Sequence, residues 1–286
     1  MSDLRRSPIV IGFILTVVLV CAGPAEAQRD YEPLFDKFNA RVEFSWVALD
    51  TEIRLDSEAL GRGTTLNFES DLDLAENEAI PTLAFEWQIA RKHRLGVRWQ
   101  NISRDSNAQA LTDIQWGDET IPVDAAIGLA FDTNQAYIDY AYYPWVKENW
   151  AAGFGLGLRW LDLSATLSWS GAGGEIEGEG TSDVSGAAPV PYLYFEYRRL
   201  FGEHWRLLLA AGWLEVTIED ISGGQYIGRF GAEYLLGRHW AFGASLNLAQ
   251  IDVEWAGIDT AEDGTLLSAE LKSNINDLSI HARFRF

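Results

Sequence analysis

The 286-residue chain has one cysteine, one methionine and four histidines. A lone Cys excludes an intramolecular disulfide, and so few His leave little material for a metal centre or a choice of catalytic bases. Basic residues are also scarce: 22 Lys and Arg stand against 42 Asp and Glu, a formal charge of -20. That balance excludes a nucleic-acid partner, because a phosphate backbone is held by clustered Lys and Arg. Beyond residue 27 there is no run of about 18 apolar residues, which excludes spanning helices. What is abundant is aromatic and small. Twelve Trp, 10 Tyr and 14 Phe sit among 26 Gly, a mixture suited to many aromatic-edged strands rather than a helical bundle. At 48% hydrophobic the chain can also bury a core, so it is not a disordered one.

Residues 1–27 have the pattern of a secretory signal. Arg5 and Arg6 form a basic start, Ile9 to Val20 an apolar run, and Ala25-Glu26-Ala27 supplies small residues before a cut at Gln28. The run is short of the ~20 residues a spanning helix needs. Cys21 leaves with the signal, and Val20 ahead of it does not suit a lipoprotein site. Ser7-Pro8-Ile9 after the arginine pair gives a twin-arginine signal little support, so the general secretion route is expected. Residues 28–39 form a separate periplasmic segment. Tyr31, Leu34, Phe35 and Phe38 have helical spacing and Pro33 suits a first turn, so the alternatives are a short amphipathic helix and a frayed tail.

From residue 40 to 286 the chain alternates with period two. Between Trp150 and Trp160 the even positions are Trp, Ala, Phe, Leu, Leu and Trp, while the odd ones are Ala, three Gly and Arg159. One greasy face with aromatic residues at both ends fits the two interfacial girdles of a membrane barrel. Four segments share an acid-aromatic pair, a short turn and a restart: Glu86-Trp87 to His93, Asp139-Tyr140 to Trp150, Glu196-Tyr197 to Trp205, and Glu233-Tyr234 to Trp240. Longer acidic stretches lie between them, at roughly 56 to 78, 104 to 126, 168 to 188, 218 to 224 and 254 to 270. Four hairpins, with Arg41 to Asp50 and Asn274 to Phe286 added, predict an all-β, antiparallel, up-and-down barrel of ten strands. Eight and twelve strands are the alternatives.

The last strand alternates Leu278, Ile280, Ala282, Phe284 and Phe286 with polar residues and ends on Phe. With the signal segment and the hairpin spacing, it resembles the small Gram-negative outer-membrane barrels of the OmpA, OmpW and opacity types. The resemblance implies an outer-membrane location, contact with lipid and lipopolysaccharide, and a terminal strand presented to the barrel assembly machinery. It does not fix an oligomeric state.

In such a barrel the greasy face meets lipid, and Trp87, Trp99, Tyr140, Trp150, Trp160, Tyr197, Trp205, Trp213, Tyr234 and Trp240 mark the girdles. The opposite face then puts Arg41, Glu43, Glu86, Arg98, Asp139, Arg159, Glu196, Arg198, Arg229, Glu233, Asp277 and Arg283 in the lumen, with Gln88, Gln100, His281 and Arg285. A buried charge is costly unless paired, so these residues are expected to bond across the interior. Two functions fit: a narrow or gated conduit for small or apolar molecules, or a closed barrel whose acidic loops serve envelope stability or adhesion.

The stretches Asp56 to Glu78 and Asp252 to Glu270 each carry a net charge of -6. Beside lipopolysaccharide phosphates such loops call for loosely bound Ca or Mg, although Asp71, Asp73, Glu76 and Glu78 lack the spacing of an EF-hand. No other cofactor or metal is expected. Nor is catalysis. His93, His204 and His239 belong to the short turns and His281 to the last strand, so none can pair with a Ser or an acid of the long loops, such as Asp118 or Glu119.

Overall fold

The computed structural model describes residues 34–58, 60–171, 179–218, 220–259 and 266–286. The expected signal segment, residues 1–27, lies outside them. In chain order the elements are β1 (Phe38–Ser57), β2 (Leu66–Asn67), α1 (Phe68–Asp71), β3 (Asn77–Ala90), β4 (His93–Gln109), β5 (Ile114–Trp116) and β6 (Glu119–Ile121). They continue as β7 (Ala126–Val146), β8 (Trp150–Ser170), β9 (Glu179–Phe201), β10 (Trp205–Ile218), β11 (Ile221–Leu236), β12 (Trp240–Asp259) and β13 (Leu266–Arg285).

The ten long strands form one antiparallel sheet in chain order, with the two-residue β2 added beside β1, and β13 pairs back to β1 from Asn39↔Arg285 to Ser57↔Leu267. Every long strand therefore has a neighbour on each side, the condition for placing strands in lipid, where a free edge would leave backbone groups unsatisfied. The number is the ten expected. The four short turns fall after β3, β7, β9 and β11, as the hairpin pattern predicts. Gly202 and Gly237, at φ of +61° and +62°, supply the left-handed residue in two of them.

The strands run much further than the sequence pattern suggests. A crossing needs about 9–11 residues, yet β7 and β8 have 21 each and β9 has 23, roughly 70 Å or more at 3.4 Å per residue. The lipid-facing part is marked by its side chains. From Trp150 to Trp160 the strand covers ~34 Å, or ~26 Å along the membrane normal at a tilt near 40°, close to the usual apolar band. The anticipated girdle residues all lie on this outward face, with Trp160, Trp205, Trp213 and Trp240 each about half exposed.

Above the upper girdle the two faces exchange character without a break in the alternation. On β1 the inward residues Arg41, Glu43 and Ser45 give way to Val47, Leu49, Ile53 and Leu55, while outward Val42, Phe44 and Trp46 give way to Asp50 and Glu52. On β8, Arg159 is followed inward by Leu161, Leu163, Ala165 and Leu167, and Trp160 is followed outward by Asp162 and Ser164. The barrel thus continues beyond the membrane with a soluble protein's polarity. Much of what was expected as loop, including 104–109, 168–170, 179–188, 221–224, 254–255, 258–259 and 266–270, is paired strand. The expectation failed because acidic and small residues face water there while the buried half of the pattern is simply apolar.

Two connections fold into this upper interior. Phe68 and Leu72 of the β2–α1 segment and Trp116 and Ile121 of the β5–β6 hairpin are all within 1% of full burial. The segments are tied together where Thr64 N donates to Gln115 O at 2.8 Å, and Phe68 packs edge-on against Phe131 at 5.2 Å. Gly117, at φ +59°, allows the hairpin its tight turn.

At the opposite end, Leu34, Phe35 and Asp36 are buried, and Phe38 and Asn39 already pair in β1. No helix runs through the described half of 28–39, and residues 28–33 lie outside the described part. The reason is local: the Asp36 carboxylate is held by lumen arginines and Phe35 stacks edge-on against Tyr143 at 4.8 Å, which leaves no free amphipathic face.

Candidate functional site in the barrel lumen

The inward parity of each strand collects a charged core at membrane depth. Asp36 meets Arg206 at 3.0 Å, Arg283 at 3.5 Å and Arg285 at 2.6 Å. Glu233 is shared by Arg206 (2.7 Å), Arg283 (2.6 Å) and His281 (2.9 Å). Glu86 lies within 3.5 Å of Arg94, Arg198 and Arg283, and Glu196 takes Arg94 at 2.7 Å and Arg198 at 2.6 Å. The Tyr143 hydroxyl also donates to Glu196. Buried charges survive only when paired and hydrogen-bonded, and this lattice does both.

A second layer lies nearer the upper girdle. Arg41 pairs with Glu43 at 2.6 Å. Arg229 Nε donates to Asn247 Oδ1 and Asn247 Nδ2 to Asp277 Oδ1, each at 2.6 Å, while the Tyr192 hydroxyl donates to Asp139. Arg98 and Arg159 lie over the ring of Tyr137 at 4.3 and 4.9 Å, on strands flanking β7. Among the described residues neither is within ion-pair distance of a carboxylate, so the expected pairing does not extend to Arg159. Its partners are the Tyr137 ring and Gln135 Oε1.

The structure therefore brings all twelve anticipated charged positions to the inward face. Sequence reasoning missed Asp36, Arg94, Arg206, Tyr143, Tyr192 and Tyr194. Arg94 shares parity with Arg98 and could have been read from it. The tyrosines had a subtler signal in the odd-numbered glycines of β8. A Cβ on Gly155 would stand 2.1 Å from the Tyr194 ring and one on Gly157 2.2 Å from that of Tyr192, so these glycines make room for two rings laid across the strand.

Acids expected in loops are distributed differently. Glu69 is buried against Arg104 at 2.5 Å. Asp252 and Glu254 instead join Asp50, Asp162 and Glu215, which lie outside the expected loops, in an exposed belt on the strands just beyond the upper girdle. In this belt a hydrogen bond from Lys272, with Arg54 nearby, holds the Glu270 carboxyl below the ordinary carboxylate range. Burial pushes Asp252 up from its ordinary 3.8; Lys272 opposes this, and Glu270, Glu254 and Glu215 add to it. For a carboxyl raised by folding, the ionised form is the disfavoured one, so the cost is present above the folded pKa and absent below the unfolded value. Asp252→Asn should raise the unfolding free energy at pH 7, read from urea titration, by up to about 0.5 kcal/mol for so exposed a group, and unfold with the parent near pH 3. Equal midpoints at pH 7 would mean the belt acids do not repel.

No family model matches the sequence, and no curated protein matches it. Among solved structures, the outer membrane protease OmpT from Escherichia coli is similar with a TM-score of 0.58. It is 12% identical, over 87% of this chain and 96% of that one. A FadL homologue of Pseudomonas aeruginosa is 10% identical over 89% of this chain and 92% of that one, with a TM-score of 0.39. OprG from the same organism is 12% identical over 88% and 97%, with a TM-score of 0.35. At such identities the likeness is one of fold. The chain is a β-barrel of the Gram-negative outer-membrane type, and its outward apolar band fits the outer membrane.

Proposed function

We propose that this protein is a sealed barrel that displays an acidic, apolar-cored β-structure beyond the outer membrane and serves the surface or stability of the envelope. The single observation that carries the reading is occlusion at three levels. Leu34, Phe35 and Asp36 fill the periplasmic end, the arginine–carboxylate lattice fills membrane depth, and Phe68, Leu72, Trp116 and Ile121 fill the outer end. An ion crossing this interior would have to break buried pairs and then enter an apolar cap, both costly in a low dielectric. A non-catalytic role is part of the proposal. His93, His204 and His239 adjoin the short turns and His281 bonds to Glu233 in the lower lattice, all far along the strands from the outer acids. Divalent cations of the surrounding lipopolysaccharide would bridge the acidic belt, and Leu278, Ile280, Ala282, Phe284 and Phe286 would be read by the assembly machinery.

The test is single-channel recording of the refolded chain in a planar bilayer, with folding established by a shift in SDS mobility on boiling. Heat-modifiable protein without conducting steps is the expected result. Reproducible steps would overturn the sealed reading in favour of a narrow conduit.

A further inference from the structure

The lumen contains more cation than its own carboxylates neutralise. Among the described residues at membrane depth, nine inward arginines, at 41, 94, 98, 159, 198, 206, 229, 283 and 285, face seven acids, at 36, 43, 86, 139, 196, 233 and 277, an excess of two positive charges. The imbalance is not spread evenly. Asp36, Glu86, Glu196 and Glu233 are all bonded within the lower lattice, and Glu43 is taken by Arg41. Arg98, Arg159 and Arg229 are left around one cavity of about 80 Å3, bordered also by Asp139 and Asp277. Arg41, Arg94, Glu86 and Glu196 also line it, so five guanidiniums against four carboxylates leave one net positive charge at its wall.

Arg159 is the sharpest sign. It is 1% exposed, it lines the cavity, and among the described residues its Nε and Nη1 have no hydrogen-bond partner. A guanidinium offers donors in a rigid fork, and a buried one without an acceptor is among the most costly groups a fold can hold. Its one acceptor, Gln135 Oε1, is shared with Gln100 Nε2 and the Tyr137 hydroxyl. Asp139 does not take over: its Oδ1 accepts from the Tyr192 hydroxyl, and no ion pair to Arg159 forms among the described residues.

We propose that this cavity, between Arg98, Arg159 and Arg229, binds one small monovalent anion, either a halide or a carboxylate of formate size. The charge follows from the local excess of one, and the cavity has room for a small ion with water beside it. The anion would accept from Nε and Nη1 of Arg159 and complete the electrostatics of the second layer. The inference stands whether or not the barrel conducts.

The test is thermal unfolding of the folded chain in detergent, titrated with sodium bromide or sodium formate against sodium gluconate at constant ionic strength. A bound ion stabilises by mass action, so a saturable rise of several degrees is expected with at least one of the two small anions. Bromide alone would assign a halide, formate alone a carboxylate, and both together a site selecting only charge and size. Arg159→Gln should abolish the rise. No dependence in the parent protein overturns the proposal and leaves water as the occupant; an equal rise in folded Arg159→Gln overturns it by placing the ion elsewhere. Should that variant fail to fold, anomalous diffraction from bromide-soaked crystals of the parent decides. A peak within hydrogen-bond distance of Arg159 supports the site, as does formate density there in formate-soaked crystals; neither ion there removes it.

Discussion

Replacing Asp36 by alanine is expected to lower the unfolding free energy by about 3–5 kcal/mol, the cost of removing one partner from a buried ion-pair cluster. The carboxylate lies within 3.5 Å of Arg206, Arg283 and Arg285, on strands β10 and β13, and so joins the two sides of the periplasmic end through a segment that precedes β1. Arg206 keeps Glu233, and Arg283 keeps Glu233 and Glu86, but those two carboxylates are already shared with other partners. Asp36→Asn retains volume and an acceptor while losing the charge, and should fall between alanine and the parent. Urea unfolding in lipid vesicles, followed by tryptophan fluorescence, measures both. An unchanged midpoint for alanine would mean that the segment does not hold the lower lattice together, and with it would go the lowest of the three seals.

The barrel, its ten strands and the facing of its charges were legible because lipid imposes a strict rule. Within the apolar band every second residue must be greasy, so any Arg or Glu at the intervening positions has only the lumen to enter. Glu86, Glu196 and Glu233 could be placed this way from their neighbours Trp87, Tyr197 and Tyr234. The same rule misled beyond the band. Once the outer face meets water, Leu161 to Leu167 and Val47 to Leu55 still alternate, but the greasy side is now the inner one. A reader looking for an outward apolar face sees only acids and small residues, and infers loop.

Pairing was less legible than placement. Parity assigns a side chain to a face but says nothing of which strand lies across the lumen, and Arg94 finds Glu196 from a distance of 102 residues. Asp36 was hidden for another reason: the spacing of Leu34, Phe35 and Phe38 suits a surface helix as well as an inserted plug, and only tertiary contacts choose between them. The unpaired Arg159 could not be found from composition at all, since it needs the partners of every neighbour to be known.

At the outer end, Glu69→Ala is expected to open the cap rather than unfold the barrel. Glu69 takes Arg104 at 2.5 Å and accepts from Thr51 N at 2.7 Å, while Arg104 reaches Ala75 O and Thr51 Oγ1 at 3.1 and 3.2 Å. The pair thus locks the β2–α1 segment to β1 and β4. Without the carboxylate, Arg104 remains buried beside the Phe131 ring, which costs up to about 3–5 kcal/mol. The opposing force is the burial of Phe68 and Leu72, worth roughly 1.5–3 kcal/mol each. The two are close to balance, so the open state should gain population by about 10²–10³-fold while the long strands stay paired. Protease nicking between residues 58 and 76 under native conditions should rise accordingly, with the heat-modifiable SDS mobility retained. Glu76→Ala, at an exposed position of the same segment, is the control and should stay within about 0.5 kcal/mol of the parent. Equal nicking of the two variants would show that apolar burial alone holds the cap, and that Arg104 finds other acceptors when Glu69 is gone.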